Sequence, residues 1–219
     1  MQNGMVLVFD LRQTVSALEL RNGLTCNPVH TIYSLSDDST VHSGLKRLLT
    51  ASSVGLCQWN IGDAHEQPIL ITDTVNQGVC ISLAYCPSGD NVVATFRPKV
   101  EMPDETSISQ LSQPPSSDMG NHVQGSHVLV KRLGSIYQKL GSTSANVPGI
   151  RLPKSTILEL EDSNSAFACG DEATSNLVLR GLPSLTFTQF LQSYHPIRDV
   201  KYTALRRPGD LLFHPVPVL

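Results

Sequence analysis

The chain has 219 residues, with 16 Lys and Arg against 19 Asp and Glu, for a formal net charge of −3. So small a charge at this length excludes a broad electrostatic footprint for nucleic acid or an anionic membrane. With 40% hydrophobic and 16% charged residues the sequence is not that of a disordered protein, and it can bury a sizeable core. The five cysteines, Cys26, Cys57, Cys80, Cys86 and Cys169, contain no Cys-x-x-Cys pair, which argues against a zinc site. Cys57, Cys80 and Cys169 fall inside apolar runs, where a reduced thiol behaves as a small hydrophobe, as expected in cytosol or nucleus. No apolar run approaches a membrane span, and the N-terminus lacks the basic segment and apolar length of a signal peptide.

In chain order the pattern is one of short strands. Met5–Phe9 reads as a strand that begins at once, Thr14–Leu20 as a weaker second strand, and Asn22-Gly23 as a turn. Val29–Leu35 is again a strand, followed by a polar loop over Ser36–Ser43. Leu45–Ala51 and Val54–Asn60 read as an antiparallel pair joined at Ser52-Ser53. A further set combines Pro68–Thr72, Val79–Tyr85 and Asn91–Phe96, with Pro87-Ser-Gly-Asp90 as its hairpin turn; Arg207-Pro-Gly-Asp210 repeats that turn chemistry. Pro98–Gly125 is rich in Ser, Gln, Pro, Asp and Glu without apolar periodicity, and reads as a disordered insertion. Strands resume at His127–Leu133 and continue through Thr156–Leu160, Ala166–Cys169, Asn176–Leu179 and Leu185–Phe190. Ile197–Tyr202 and Asp210–Phe213 begin a further unit.

Three stretches share one logic. Gly4–Asp10 and Gly55–Asn60 each run from Gly through a short apolar strand to an aromatic followed by Asp or Asn, the strand ending that WD-repeat propeller blades carry as Trp-Asp. Phe167–Arg180 reads as strand, Gly-Asp-Glu corner and strand. Phe9 and Trp59 lie about 50 residues apart, somewhat more than the ~40–45 of a WD blade. The expected fold is therefore all-β, a partial WD-repeat β-propeller of about four incomplete four-stranded blades. Residues 1–97 and 126–219 hold the blades, and residues 98–125 the insertion. The pattern starts and stops in mid-blade, so the chain is read as a portion of a larger propeller, marginally stable alone because its edges are uncovered.

Few residues suggest chemistry. Asp63, His65 and Glu66 cluster, but without a fourth partner, and solvated loop polarity explains them better than a metal. No Gly-x-Ser-x-Gly elbow or phosphate loop supports a hydrolase or a nucleotide-binding enzyme. In the Gly170-Asp171-Glu172 corner, Gly170 would supply a left-handed turn and the acids would satisfy backbone amides or a neighbouring His or Ser; alternatively Asp171 and Glu172 meet a basic partner. Trp59 reads as blade packing first and as an interface anchor second. The pairs Lys131-Arg132 and Arg206-Arg207 read as solvated faces. Ser109-Gln110 and Ser112-Gln113 lie in the insertion, where Ser109 and Ser112 are candidate phosphorylation sites for damage-responsive kinases; chance in a Ser- and Gln-rich loop is the competing reading.

Asn3–Arg12, Phe96-Arg-Pro98, Cys169-Gly-Asp-Glu-Ala173 and the Ile197-Arg-Asp-Val200 stretch, in this order over nearly the whole chain, resemble the C-terminal propeller of the RING-finger and WD-repeat E3 ubiquitin ligase of DNA repair, in a plant-like version. The sequence departs from that pattern at Leu179-Arg180, where Trp-Asp is expected, in its Pro98–Gly125 insertion, and in the Phe213–Leu219 tail, which lacks the final aromatic strand. The resemblance implies a nuclear protein whose propeller recognises replication protein A at stalled forks and in interstrand crosslink repair. A RING that holds zinc and recruits the ubiquitin-conjugating enzyme would belong with it. No such RING is present among these residues, so the resemblance implies recognition without catalysis and no cofactor in this chain.

Overall fold

The computed structural model describes residues 4–13, 15–35, 46–62, 66–99, 124–147, 149–160 and 164–202. Fourteen strands occur among them, with a single turn of 3-10 helix at Thr72–Thr74. β1 (Val6–Val8) and β2 (Glu19–Arg21) form a two-stranded antiparallel sheet. Three four-stranded antiparallel sheets follow, each a meander in which consecutive strands are neighbours. The first holds β3 (Val29–Leu35), β4 (Lys46–Ser52), β5 (Gly55–Ile61) and β6 (Ile69–Leu70). The second holds β7 (Val79–Cys86), β8 (Asn91–Arg97), β9 (Gly125–Leu133) and β10 (Ile136–Ala145). β11 (Thr156–Glu159), β12 (Ser165–Asp171), β13 (Asn176–Gly181) and β14 (Thr186–Leu191) make the third. The fold is all-β and propeller-like but partial, and the sheets do not close into a barrel.

The cores lie between sheets. Along β8, Val92, Ala94 and Phe96 pack toward the first sheet with Leu49, Leu56, Leu83 and Val130. Val93, between them, points the other way and joins Ala84, Leu129, Phe167 and Val178. This is the period-2 alternation of a strand with both faces covered, and it explains why β7 and β8 read as near-continuous apolar runs rather than alternating ones. A further cluster sets Val200 against Leu158, Ala168 and Leu177, and another sets Val6 against Trp59 and Ile61. The sheets thus stack face to face in chain order, like successive blades.

The structure corrects several expectations. Three of the units are complete four-stranded sheets rather than incomplete ones. Pro68–Thr72 does not open the second unit; its strand, β6, pairs with β5 and closes the first. The fourth strand of the second unit is β10, which the sequence reading did not identify because its burial alternates weakly on an outer edge. The second N-terminal strand is limited to Glu19–Arg21. Residues 197–202 form no regular strand, although the Lys154 amide donates to the Arg198 carbonyl (2.8 Å) and the Val200 amide to the Lys154 carbonyl (3.1 Å).

Arg132 is no solvated residue. It is buried against the Pro87–Asp90 turn, where its guanidinium donates to Asp90 Oδ1 at 2.9 Å and its amide to the Asp90 carbonyl at 2.9 Å. Tyr85 donates to the same carboxylate oxygen at 3.0 Å. Asp90 itself sits at φ 51°, a left-handed conformation that short polar residues tolerate at turns. The Arg207–Asp210 turn and Arg206-Arg207 lie outside the described residues.

Candidate recognition surface

Trp59 lies on β5 and is 3% exposed. Its indole N–H donates to the Thr50 hydroxyl of β4 at 2.7 Å, and that hydroxyl donates on to the Cys57 carbonyl at 3.3 Å. A buried indole needs such a partner for its N–H, and here the partner is within the sheet. Trp59 therefore presents no ring face to another molecule.

The acids of the β12–β13 corner are also bonded within the fold. Asp171 Oδ1 accepts the amides of Ala173 (2.9 Å) and Thr174 (3.1 Å), and its Oδ2 accepts the Asn146 side-chain amide (2.9 Å). Glu172 accepts the amides of Gly149 at 2.6 Å and Ile150 at 3.0 Å. Both carboxylates thus fasten the segment between β10 and β11 to the third sheet. Arg97 of β8 fastens the same segment from the second sheet, donating to the carbonyls of Val147 (2.8 Å) and Ile150 (2.6 Å). The left-handed residue of the corner is Ser175, at φ 57°, not Gly170. Gly170 is required for a different reason: a Cβ there would lie 2.6 Å from the Ile197 carbonyl oxygen.

The first strands of the three large sheets converge. β3, β7 and β11, with residues 199–202, line an open cleft of about 540 Å³. Ser82 of β7 and Ser155, just before β11, share a buried hydrogen bond at 3.0 Å in its wall. Tyr33 donates its hydroxyl to the Leu83 carbonyl at 3.3 Å, tying β3 to β7. His30 Nε2 lies 3.2 Å from the Cys80 carbonyl, which makes Nε2 the donor and leaves Nδ1 to accept from the Thr31 hydroxyl at 2.9 Å. Burial lowers the His30 pKa, with the bond to Cys80 opposing it, so the ring in the cleft is neutral at pH 7. Charge comes from one lip, where Asp199 lies 3.4 Å from Lys154 Nζ and 4.0 Å from Lys201 Nζ. Both lysine side chains are more than two-thirds exposed, so their ammonium groups remain available to a ligand. Exposed Ile32 and Leu152 add apolar surface.

No protein-family model matches the chain, and no curated protein matches it in sequence.

The cleft residues escaped the sequence reading because His30, Tyr33, Ser82, Lys154 and Asp199 come from four separated segments and form no motif. Among the described residues no three His, Cys, Asp or Glu side chains are grouped to hold a metal ion. Glu66 is described, and its carboxylate accepts the Asn60 amide at 2.6 Å. Asp63, His65, Ser109 and Ser112 lie outside the described residues.

The buried His127 and Cys169 are structural. His127 of β9 meets the Thr95 hydroxyl at 2.9 Å through Nδ1 and Cys169 Sγ at 3.6 Å through Nε2, and its ring stands edge-on to Phe167. Burial, with Arg180 nearby, pushes the His127 pKa down to about 3, and Asp171 opposes that only in part. Burial likewise pushes the Cys169 thiol up to about 12, so it is no nucleophile at neutral pH.

Proposed function

We propose that this chain is a protein-recognition module and, on the sequence resemblance, the substrate-recognition part of a nuclear E3 ubiquitin ligase of DNA repair. Replication protein A is then its partner. Zinc and the ubiquitin-conjugating enzyme belong to a RING outside these residues. The observation that carries the recognition reading is the convergence of β3, β7 and β11 on one open cleft with two exposed lysines at its lip. Rigid sheets that present segments at one end of a channel suit partner binding.

A WD-repeat interaction scaffold without a link to ubiquitin is the alternative. It is favoured by the way Asp171 and Glu172 are engaged by the fold's own amides, leaving the corner that carries part of the resemblance without a free acid. Immobilising the 219-residue chain and passing purified replication protein A over it separates the two readings. Retention that is lost in the Lys154→Glu, Lys201→Glu double variant is expected. No retention by the folded chain removes the repair assignment and leaves the scaffold.

A further inference from the structure

Among the described residues each sheet ends on an outer strand with one unpaired edge, and these edges differ. β6 is only two residues long. β10 carries Lys139, whose amide is already taken by Asp73 Oδ2 at 2.9 Å, and a register shift between Lys139 and Gly141 leaves Leu140 as an extra residue. In the two-stranded sheet β2 is Glu19-Leu20-Arg21, with a charge at either end. Shortness, lysines, bulges and charges are the means by which proteins keep such edges from pairing with other chains.

β14 has fewer of them. Its sequence, Thr186-Phe-Thr-Gln-Phe-Leu191, contains no charge and no proline, and five of its six residues are exposed. A register shift against β13 leaves Thr188 as the extra residue. Without it, residues 187 and 190 would point to opposite faces; with it, the Phe187 and Phe190 rings come to 6.4 Å on one side. Both rings are more than half exposed.

We propose that β14 pairs antiparallel with β14 of a second copy of this chain, about a two-fold axis between Thr188 and Gln189. The pairing joins two four-stranded sheets into one of eight strands and sets Phe187 of each copy opposite Phe190 of the other. Charge selects this occupant. In a two-fold contact the same strand meets itself, so an edge bearing a lysine or a glutamate brings like charges together, and β14 alone among the outer edges of the three large sheets combines length with neutrality. The placement of the two rings about one centre means that the register satisfying one half of the contact satisfies the other.

Sedimentation velocity on the full chain, over about a hundredfold range of micromolar concentrations, tests this. A monomer–dimer equilibrium is expected, weakened at least about tenfold by Gln189→Lys, which places two lysines at the axis. The far-UV circular dichroism of the variant should be unchanged. A chain that stays monomeric throughout overturns the proposal, as does a dimer indifferent to Gln189→Lys, which would place the contact elsewhere, such as on exposed Leu11, Val15 and Leu18. If the variant fails to fold, amide exchange on the unaltered chain decides. Protection of the β14 amides that rises with concentration supports the pairing, and protection independent of concentration overturns it.

Discussion

The Thr50 hydroxyl serves two strands at once, accepting from Trp59 and donating to Cys57, and it converts a side chain suited to an interface into one that locks β4 to β5. Glu172 does comparable work at the surface. Its carboxylate holds two amides of the segment that leads to β11, and charge-assisted bonds of this kind are among the stronger ones available. Glu172→Ala should lower stability by about 1–2 kcal/mol, read as a shift in the urea midpoint without a change in slope. His127 gives a pH signature. Its folded pKa of about 3 lies below its ordinary value of 6.5, so the native state favours the neutral ring. The contribution of that ring is complete above about pH 6.5 and is lost progressively as the pH falls toward 3, because the unfolded chain binds a proton that the folded one refuses. Urea midpoints measured between those limits should fall with pH, and His127→Gln should flatten the slope.

At the scale of elements, legibility followed burial. β7 and β8 were readable to within one residue, because unbroken apolar and β-branched side chains between polar turns mark a strand whose faces are covered; β3, where only Leu35 is buried, was readable instead from its β-branched residues and flanking breaks. β10 was missed because an outer strand exposed along most of its length has no apolar alternation to display. β6 was assigned to the wrong unit because pairing is not written in a two-residue strand; only the bond from the Ile71 amide to the Leu56 carbonyl and the register of Cys57 with Leu70 decide it. Gly170 was recognised as special for the wrong reason. A corner glycine suggests a left-handed turn, whereas the need here is close approach of another backbone. Gly170→Ala should therefore push residues 197–200 off the third sheet, at a cost of about 1–3 kcal/mol. Faster hydrogen exchange at the Val200 amide, which is bonded to the Lys154 carbonyl, is the expected readout.

For the molecule as a whole, the sequence carried the architecture better than the site. Repeated strand-and-turn units report a stack of sheets, since each sheet is local in the chain. The cleft is not local: its walls come from residues 30–33, 81–83, 152–156 and 199–202, and only the stacking of sheets brings them together. No spacing rule could have gathered Lys154 with Lys201, or Ser82 with Ser155. The acids of the β12–β13 corner stood out because a Gly-Asp-Glu run is a local signal; the bonds from Asp171 to the Ala173 and Thr174 amides match the backbone-amide reading, whereas the ties to Asn146, Gly149 and Ile150 are not local and no spacing announces them.

The meander order has a consequence for synthesis. Among the described residues every large sheet is made of four strands consecutive in the chain, and none borrows a strand from another. As the chain leaves the ribosome, the first sheet has all its strands once Leu70 has emerged, and the second finds a finished face to pack on. Assembly can therefore follow the direction of translation, each sheet serving as the template surface for its successor.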